Sequence, residues 1–233
     1  SSLFGIHQDG GFSEYISVPQ GGLYQIPEGL SFEEAALVEP LSNAAHFVND
    51  VTPVNLGDLA VVLGIGPIGL FSAQLLRLAG ANVLMTGISV DTERFKIAKK
   101  LGLEAVNIDE GDPVALVLGR TSKRGADIAL VAVGASSAVH QAIRLVRKRG
   151  HITIVGIFPG EIPIPMTEIV RREITLAGAY DARAENFEES IDLLRSGRIK
   201  ATDLVTHRFS LDEADQAFGI AKSKAGCKVL FTP

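Results

Sequence analysis

Six residues, Gly64-Ile65-Gly66-Pro67-Ile68-Gly69, follow directly on the apolar run Leu59-Ala60-Val61-Val62-Leu63. Nothing else in the 233 residues limits the fold so sharply. A short, continuous apolar run reads as a strand buried on both faces, the mark of a parallel sheet. Glycines at the first, third and sixth places then meet three demands: a tight turn, a close backbone approach to a ligand, and close packing of a helix on the sheet. Pro67 suits the first turn of that helix, where its missing N–H would have no intrahelical partner. The helix N-terminus offers free N–H groups and a partial positive charge, which suit a pyrophosphate. Gly64, Gly66, Pro67, Ile68 and Gly69 are therefore candidate dinucleotide contacts. A glycine-rich turn with no ligand is the plain alternative.

The strand-then-helix rhythm continues after this motif. Further strands are expected at 83–86, 105–108, 127–133, 151–155 and 174–177, with helices at 67–79, 92–101, 136–146 and 186–194. Gly102 and Gly197 stand where helix C-caps belong. This alternation demands an α/β fold, a Rossmann-type doubly wound parallel sheet of about six strands, over residues 51–197. Residues 1–50 and 198–233 read as separate flanking pieces. In the first, the alternation over 12–18 predicts a strand. Ser31 and Glu34 form a capping-box pattern ahead of a helix interrupted near Pro40 and resuming over 44–48. In the second, a strand from about Leu204, a helix over 211–221 and a strand over 228–231 are expected.

Composition removes several function classes. The net charge is −5, and the basic clusters Arg144, Arg147, Lys148 and Arg149, and Arg171-Arg172, are short and separated by an apolar stretch, so no route to nucleic acid is visible. No apolar run reaches the ~20 residues of a membrane span. A single cysteine, Cys227, rules out an internal disulfide and a cysteine-based zinc site within this chain, and fits a cytoplasmic protein. A short-chain dehydrogenase would need Tyr-x-x-x-Lys, but Tyr15, Tyr24 and Tyr180 are followed at that spacing by Pro19, Glu28 and Ala184. The five histidines are scattered without metal-ligand spacing, and His46 reads as a core or interface residue.

The second strand ends in Gly87, where a carboxylate would hold the ribose 2′-hydroxyl of NAD. Without that carboxylate, Ser89, Thr92 and Arg94 are candidates for a 2′-phosphate, which favours NADP over NAD.

Several segments together carry a family resemblance. They are Asp9-Gly10-Gly11-Phe12-Ser13-Glu14-Tyr15, Glu33-Glu34-Ala35-Ala36-Leu37-Val38-Glu39-Pro40-Leu41-Ser42, the glycine motif, Gly150-His151-Ile152, and Val170-Arg171-Arg172-Glu173. Over essentially its whole length the chain resembles the zinc-dependent medium-chain alcohol and polyol dehydrogenases, the sorbitol and threonine dehydrogenases among them. The resemblance implies hydride transfer between a small alcohol or carbonyl compound and a nicotinamide, with zinc in the intact protein. It implies that residues 1–50 and 198–233 are remnants of a GroES-like catalytic domain, most of which, with its other zinc ligands, would precede Ser1. Glu39 matches a glutamate beside the catalytic zinc, and so is the candidate catalytic and metal-site residue. Ile68, Arg94, Val155, Gly156, Ile157, Ala179 and Tyr180 match cofactor-contact positions. The family commonly forms dimers or tetramers through the last sheet strand, here 174–177.

Two departures stand out. Asp181-Ala182 occupies the place of a substrate-touching Arg-Tyr, and the loop from Gly87 to Arg94 is longer than in the usual NAD members. The expectation is a chain that binds cofactor and does not turn over. A stand-alone nucleotide-binding redox sensor or scaffold is a second reading. A zinc-free quinone reductase is a third, against which Glu39-Pro40 argues.

Overall fold

The computed structural model describes residues 4–232, so residues 1–3 of the first flanking piece and residue 233 of the second lie outside the described residues. Six strands, β1 (Leu59–Leu63), β2 (Asn82–Gly87), β3 (Glu104–Asn107), β4 (Ala126–Val131), β5 (Val146–Ile154) and β6 (Thr175–Gly178), form one sheet in the order β3-β2-β1-β4-β5-β6. Every neighbouring pair is parallel. Parallel neighbours need crossover connections, and helices supply them. The α-helices among the described residues are α1 (Phe32–Ala35), α2 (Val38–Ala45), α3 (Pro67–Leu78), α4 (Thr92–Lys100), α5 (Pro113–Arg120), α6 (Ser136–Leu145), α7 (Met166–Arg172), α8 (Ala184–Arg195) and α9 (Ala214–Ser223). Strands β7 (Val205–Phe209) and β8 (Lys228–Phe231) make a separate parallel pair with α9 between them.

The central strand shows why the sheet is covered on both faces. Successive side chains of a strand point to opposite sides. Ala60 and Val62 pack in one core with Leu70 and Phe71 of α3, while Val61 and Leu63 pack in the other with Val139 and Ala142 of α6. The segment before β1 joins the first core: α2 packs against α3 and α8. No helix among the described residues is long and apolar enough to cross a membrane.

The structure corrects four expectations. Residues 12–18 form no strand, and Tyr15 is 91% exposed. An alternating segment becomes a strand only against a partner edge, and none of the described strands pairs with this one. The capping box forms, Ser31 Oγ accepting from the Glu34 N–H. The helix break, however, falls at Ala36-Leu37, and Pro40 sits inside the first turn of α2, where a missing N–H is tolerated. Helices α5 and α7 are additional. Finally, β4 stops at Val131 and β5 starts at Val146, five residues before its expected start.

Candidate functional site

β1 and β4 lie side by side at the centre of the sheet, and the strand order runs outward from them in both directions. Ligands of open α/β sheets bind beyond the carboxyl ends of the strands at such a switch point. Two cavities open there. One, of about 440 Å³, is bordered by Gly64, Gly66, Pro67, Gly87, Asp91, Arg94 and Lys224. The other, of about 1000 Å³, is bordered by Glu39, Asn43, Ile68, Val155, Gly156, Ile157, Tyr180 and Asp181. Ala132 and Gly134, just past β4, line both.

The glycine turn joins them, and its three glycines are required for different reasons. Gly64 has φ +118°, and a Cβ there would stand 2.6 Å from Val133 Cγ1. A Cβ on Gly69 would stand 2.2 Å from the Gly64 carbonyl oxygen, so α3 approaches β1 only because that atom is missing. Gly66 differs: a Cβ there would meet no heavy atom within 4 Å. Packing does not demand glycine at 66. The open space beside it, at the N-terminus of α3, fits the close approach of a pyrophosphate. Across the crevice, a Cβ on Gly156 would lie 2.3 Å from the Val133 carbonyl oxygen, and one on Gly134 would overlap the Ile157 carbonyl. The loops after β4 and β5 therefore press backbone to backbone. The Val155 and Gly156 N–H groups both donate to Val131 O at 3.0 Å, and Ala179 N–H donates to Ile154 O at 3.0 Å.

At the smaller cavity, a side chain at Gly87 would stand 2.8 Å from Ile65 Cγ2 and 3.0 Å from Phe95 Cζ. A side chain at this strand end would require Ile65 and Phe95 to shift. Asp91, placed by sequence beyond the strand end, lines the cavity and is 7% exposed. Its Oδ1 accepts from Arg94 Nη1 at 2.8 Å and its Oδ2 from the Ile88 N–H at 3.1 Å. Arg94 Nε donates to Gly226 O at 3.1 Å. Arg94 thus lines the cavity already committed on two sides. Ser89 and Thr92 do not line it. The Ser89 N–H donates to Asp109 Oδ2, Ser89 Oγ accepts from Asn107 Nδ2, and Thr92 Oγ1 donates to Ser89 O. Both residues build their own turn. Behind Arg94, burial pushes the Cys227 thiol up to about 12, so it stays protonated and is a poor redox centre.

At the larger cavity, Glu39 is exposed in the first turn of α2, and Asn43 Nδ2 donates to its Oε1 at 2.6 Å. Asn43 Oδ1 is buried without a partner among the described residues. Asp181 sits at φ +63° on the rim, and the Tyr24 ring stacks on Phe187 with centroids 5.0 Å apart. Tyr180 lines this cavity, whereas Ala179 packs into the core beneath it. The lining carries two carboxylates, Glu39 and Asp181, and no Lys, Arg or His among the described residues. His46 does not join Glu39; its Nδ1 contacts Asp50 Oδ2 at 2.8 Å. No group of three His, Cys, Asp or Glu side chains among the described residues is placed to hold a metal. One carboxylate does not make a catalytic zinc site, which takes about three protein ligands. Sequence reading missed Asn43, Gly134 and Lys224. Only Gly134 carried a signal, a glycine at the carboxyl end of a central strand.

The family profile described as zinc-binding dehydrogenase matches residues 67–196, more than half of the chain. The chain belongs to that family. The chain is 38% identical over 231 residues to the sorbitol dehydrogenase of Halalkalibacterium halodurans, a match that covers 98% of this chain and 67% of that protein. It superposes on 2R,3R-butanediol dehydrogenase from Bacillus subtilis with a TM-score of 0.89 and 34% identity, covering 99% of this chain and 67% of the other. A zinc-binding dehydrogenase from Sinorhizobium meliloti bound to NADP matches with a TM-score of 0.88 and 30% identity, over 99% of this chain and 68% of that one. An Escherichia coli alcohol dehydrogenase complexed with NADH matches with a TM-score of 0.88 and 28% identity, over 100% and 68%. The chain thus spans about two thirds of the length of these relatives.

Proposed function

We propose that this chain is the cofactor-binding part of an alcohol or polyol dehydrogenase that uses NADP in preference to NAD. The observation that carries the cofactor reading is Gly66, a glycine that protein packing does not require and that faces open space at a helix N-terminus. On this reading the N–H groups at the start of α3 hold the pyrophosphate. The backbone from Val155 to Ile157, together with Tyr180, would border the nicotinamide, which when bound would supply hydride exchange with the alcohol carbon. Their task is to orient that ring and keep water from it. Glu39, held by Asn43, belongs to a zinc site that residues outside this chain complete. Residues 1–50 and 198–233 belong with that catalytic domain, and 51–197 form the cofactor domain. The chain alone does not turn over. The exposed edge of β6 pairs copies into an oligomer, and the cytoplasm is the compartment.

The NADP preference rests on the missing carboxylate at Gly87 and on charge. Asp91, Arg94 and Lys224 give the smaller cavity one net positive charge; the relatives include both an NADP-bound and an NADH-bound structure. Asp91 favours the second reading, NAD, because a cavity-lining carboxylate can accept from a ribose hydroxyl. On the alcohol side, two carboxylates without a cation favour an uncharged alcohol or carbonyl substrate over a phosphate ester or a sugar acid. Paired titration with NADPH and NADH, read by nicotinamide fluorescence, tests the cofactor choice. NADPH binding about tenfold tighter or more is expected. Tighter NADH binding assigns Asp91 to the ribose, and binding of neither removes the cofactor role.

A further inference from the structure

The sequence points to Arg94 as the cation for a 2′-phosphate, yet the structure has Arg94 occupied. One side of its guanidinium serves Asp91 and another the Gly226 carbonyl. The second cation lining the same cavity comes from the other end of the chain. Lys224 follows the last turn of α9 and, though far from Gly66 and Gly87 in sequence, borders the same cavity as they do. It is exposed, and none of the ion pairs among the described residues includes it. Its backbone is left-handed, φ +59°, at the helix-terminating place that glycine usually takes. A lysine there is held against its own preference.

The turn that carries Lys224 is fixed from three sides. Gly226 is wedged against β7, where a Cβ would come within 2.6 Å of Thr206 Oγ1 and 2.7 Å of His207 Nδ1. The Cys227 N–H donates to Thr206 Oγ1 at 3.0 Å. Arg94 Nε holds the Gly226 carbonyl from the cofactor side. A free cation therefore stands on a rigid turn, at a cavity whose other cation is neutralised.

We infer that Lys224 is the specificity-determining residue for the cofactor's 2′ end, its ammonium pairing with a 2′-phosphate, and that Arg94 is a positioning residue that ties the Lys224 turn to the start of α4. This rests on the dinucleotide reading above. The phosphate on an adenosine 2′ position is the only chemical difference between the two cofactors, so a lone exposed ammonium at that end discriminates by charge alone.

The test uses 2′,5′-ADP and 5′-ADP as probes on the whole chain, by calorimetric titration, with Lys224→Gly and Lys222→Ala as variants. Lys224→Gly removes the charge and suits the left-handed backbone, so its melting temperature is not lowered. It is expected to weaken 2′,5′-ADP at least about tenfold while leaving 5′-ADP within twofold or so. Lys222→Ala, two residues earlier in the last turn of α9, is expected to change neither. An unchanged 2′,5′-ADP affinity in Lys224→Gly overturns the inference and leaves the cofactor reading standing. Equal losses for both probes also overturn it, since they put Lys224 on the shared diphosphate. If wild-type chain binds neither probe, the cofactor reading falls and this inference with it.

Discussion

Gly66 and Gly69 stand three residues apart in one motif and answer to different forces. Gly69 is needed by the protein itself, since a methyl group there would collide with the Gly64 carbonyl. Gly69→Ala is expected to lose about 1–3 kcal/mol of stability as α3 is pushed off the sheet, measurable by urea denaturation. Gly66 borders empty space, so Gly66→Ala is expected to cost at most about 1 kcal/mol as a change of N-cap residue. It should nonetheless weaken NADPH and NADH alike by about tenfold or more, because the new methyl group occupies the approach to the helix N-terminus. Equal stability loss in the two variants would show that both glycines are structural, and would remove the chief support for a ligand at that turn.

At the level of elements, the sheet's amino-terminal edge is tied by one carboxylate. Asp127, at the start of β4, accepts from Arg124 Nη1 at 2.7 Å, from Arg147 Nε of β5 at 2.6 Å and from the Leu59 N–H of β1 at 2.9 Å. Burial pushes its carboxyl up, but these hydrogen bonds outweigh burial and hold it well below the usual carboxylate range. A depressed folded-state value means stability that is fully present above the unfolded value of about 4 and is lost as pH falls below it. Asp127→Asn is expected to cost about 2–3 kcal/mol at pH 7, and the gap from wild type should narrow as pH is lowered from about 5 toward 2. A gap constant with pH would mean that the carboxylate's charge does no work. The same scale shows what the sequence could disclose. The six sheet strands, α3 and the caps at Ser31 and Gly102 were legible because each writes a local signal: a run of apolar residues, a cap, a positive φ. α5 carried such a signal, Asp112 accepting from the Val114 N–H with Pro113 after it, but its eight residues give a short apolar period. α7 buries only Ile169, too little for a pattern. The alternation at 12–18 is a strand signal that no described strand pairs with. Arg94 was legible as a cavity residue; its engagement by Asp91 and Gly226 was not, because Gly226 lies 132 positions away.

At the scale of the whole molecule, the residues that matter are drawn from both ends of the chain onto one crevice: Glu39 from before the sheet, Lys224 from after it. The metal side is incomplete among the described residues. Zinc added to the purified chain is expected to show no site approaching the ~10 kcal/mol or more of a complete zinc site, and alcohol oxidation with NADP and zinc is expected to be absent. A stoichiometric, submicromolar site in calorimetry, or turnover, would show that the chain assembles its own ligands. The two cavities meet at Ala132 and Gly134 and carry opposite signs, carboxylates at one end and net positive charge at the other. Such a crevice is a compass. An oxidised dinucleotide has a cationic ring at one end and phosphates toward the other, so the field would turn it the right way round before any contact forms. It would also hold the oxidised form more firmly than the reduced one, whose ring has lost its charge, and rising salt would erase both effects together.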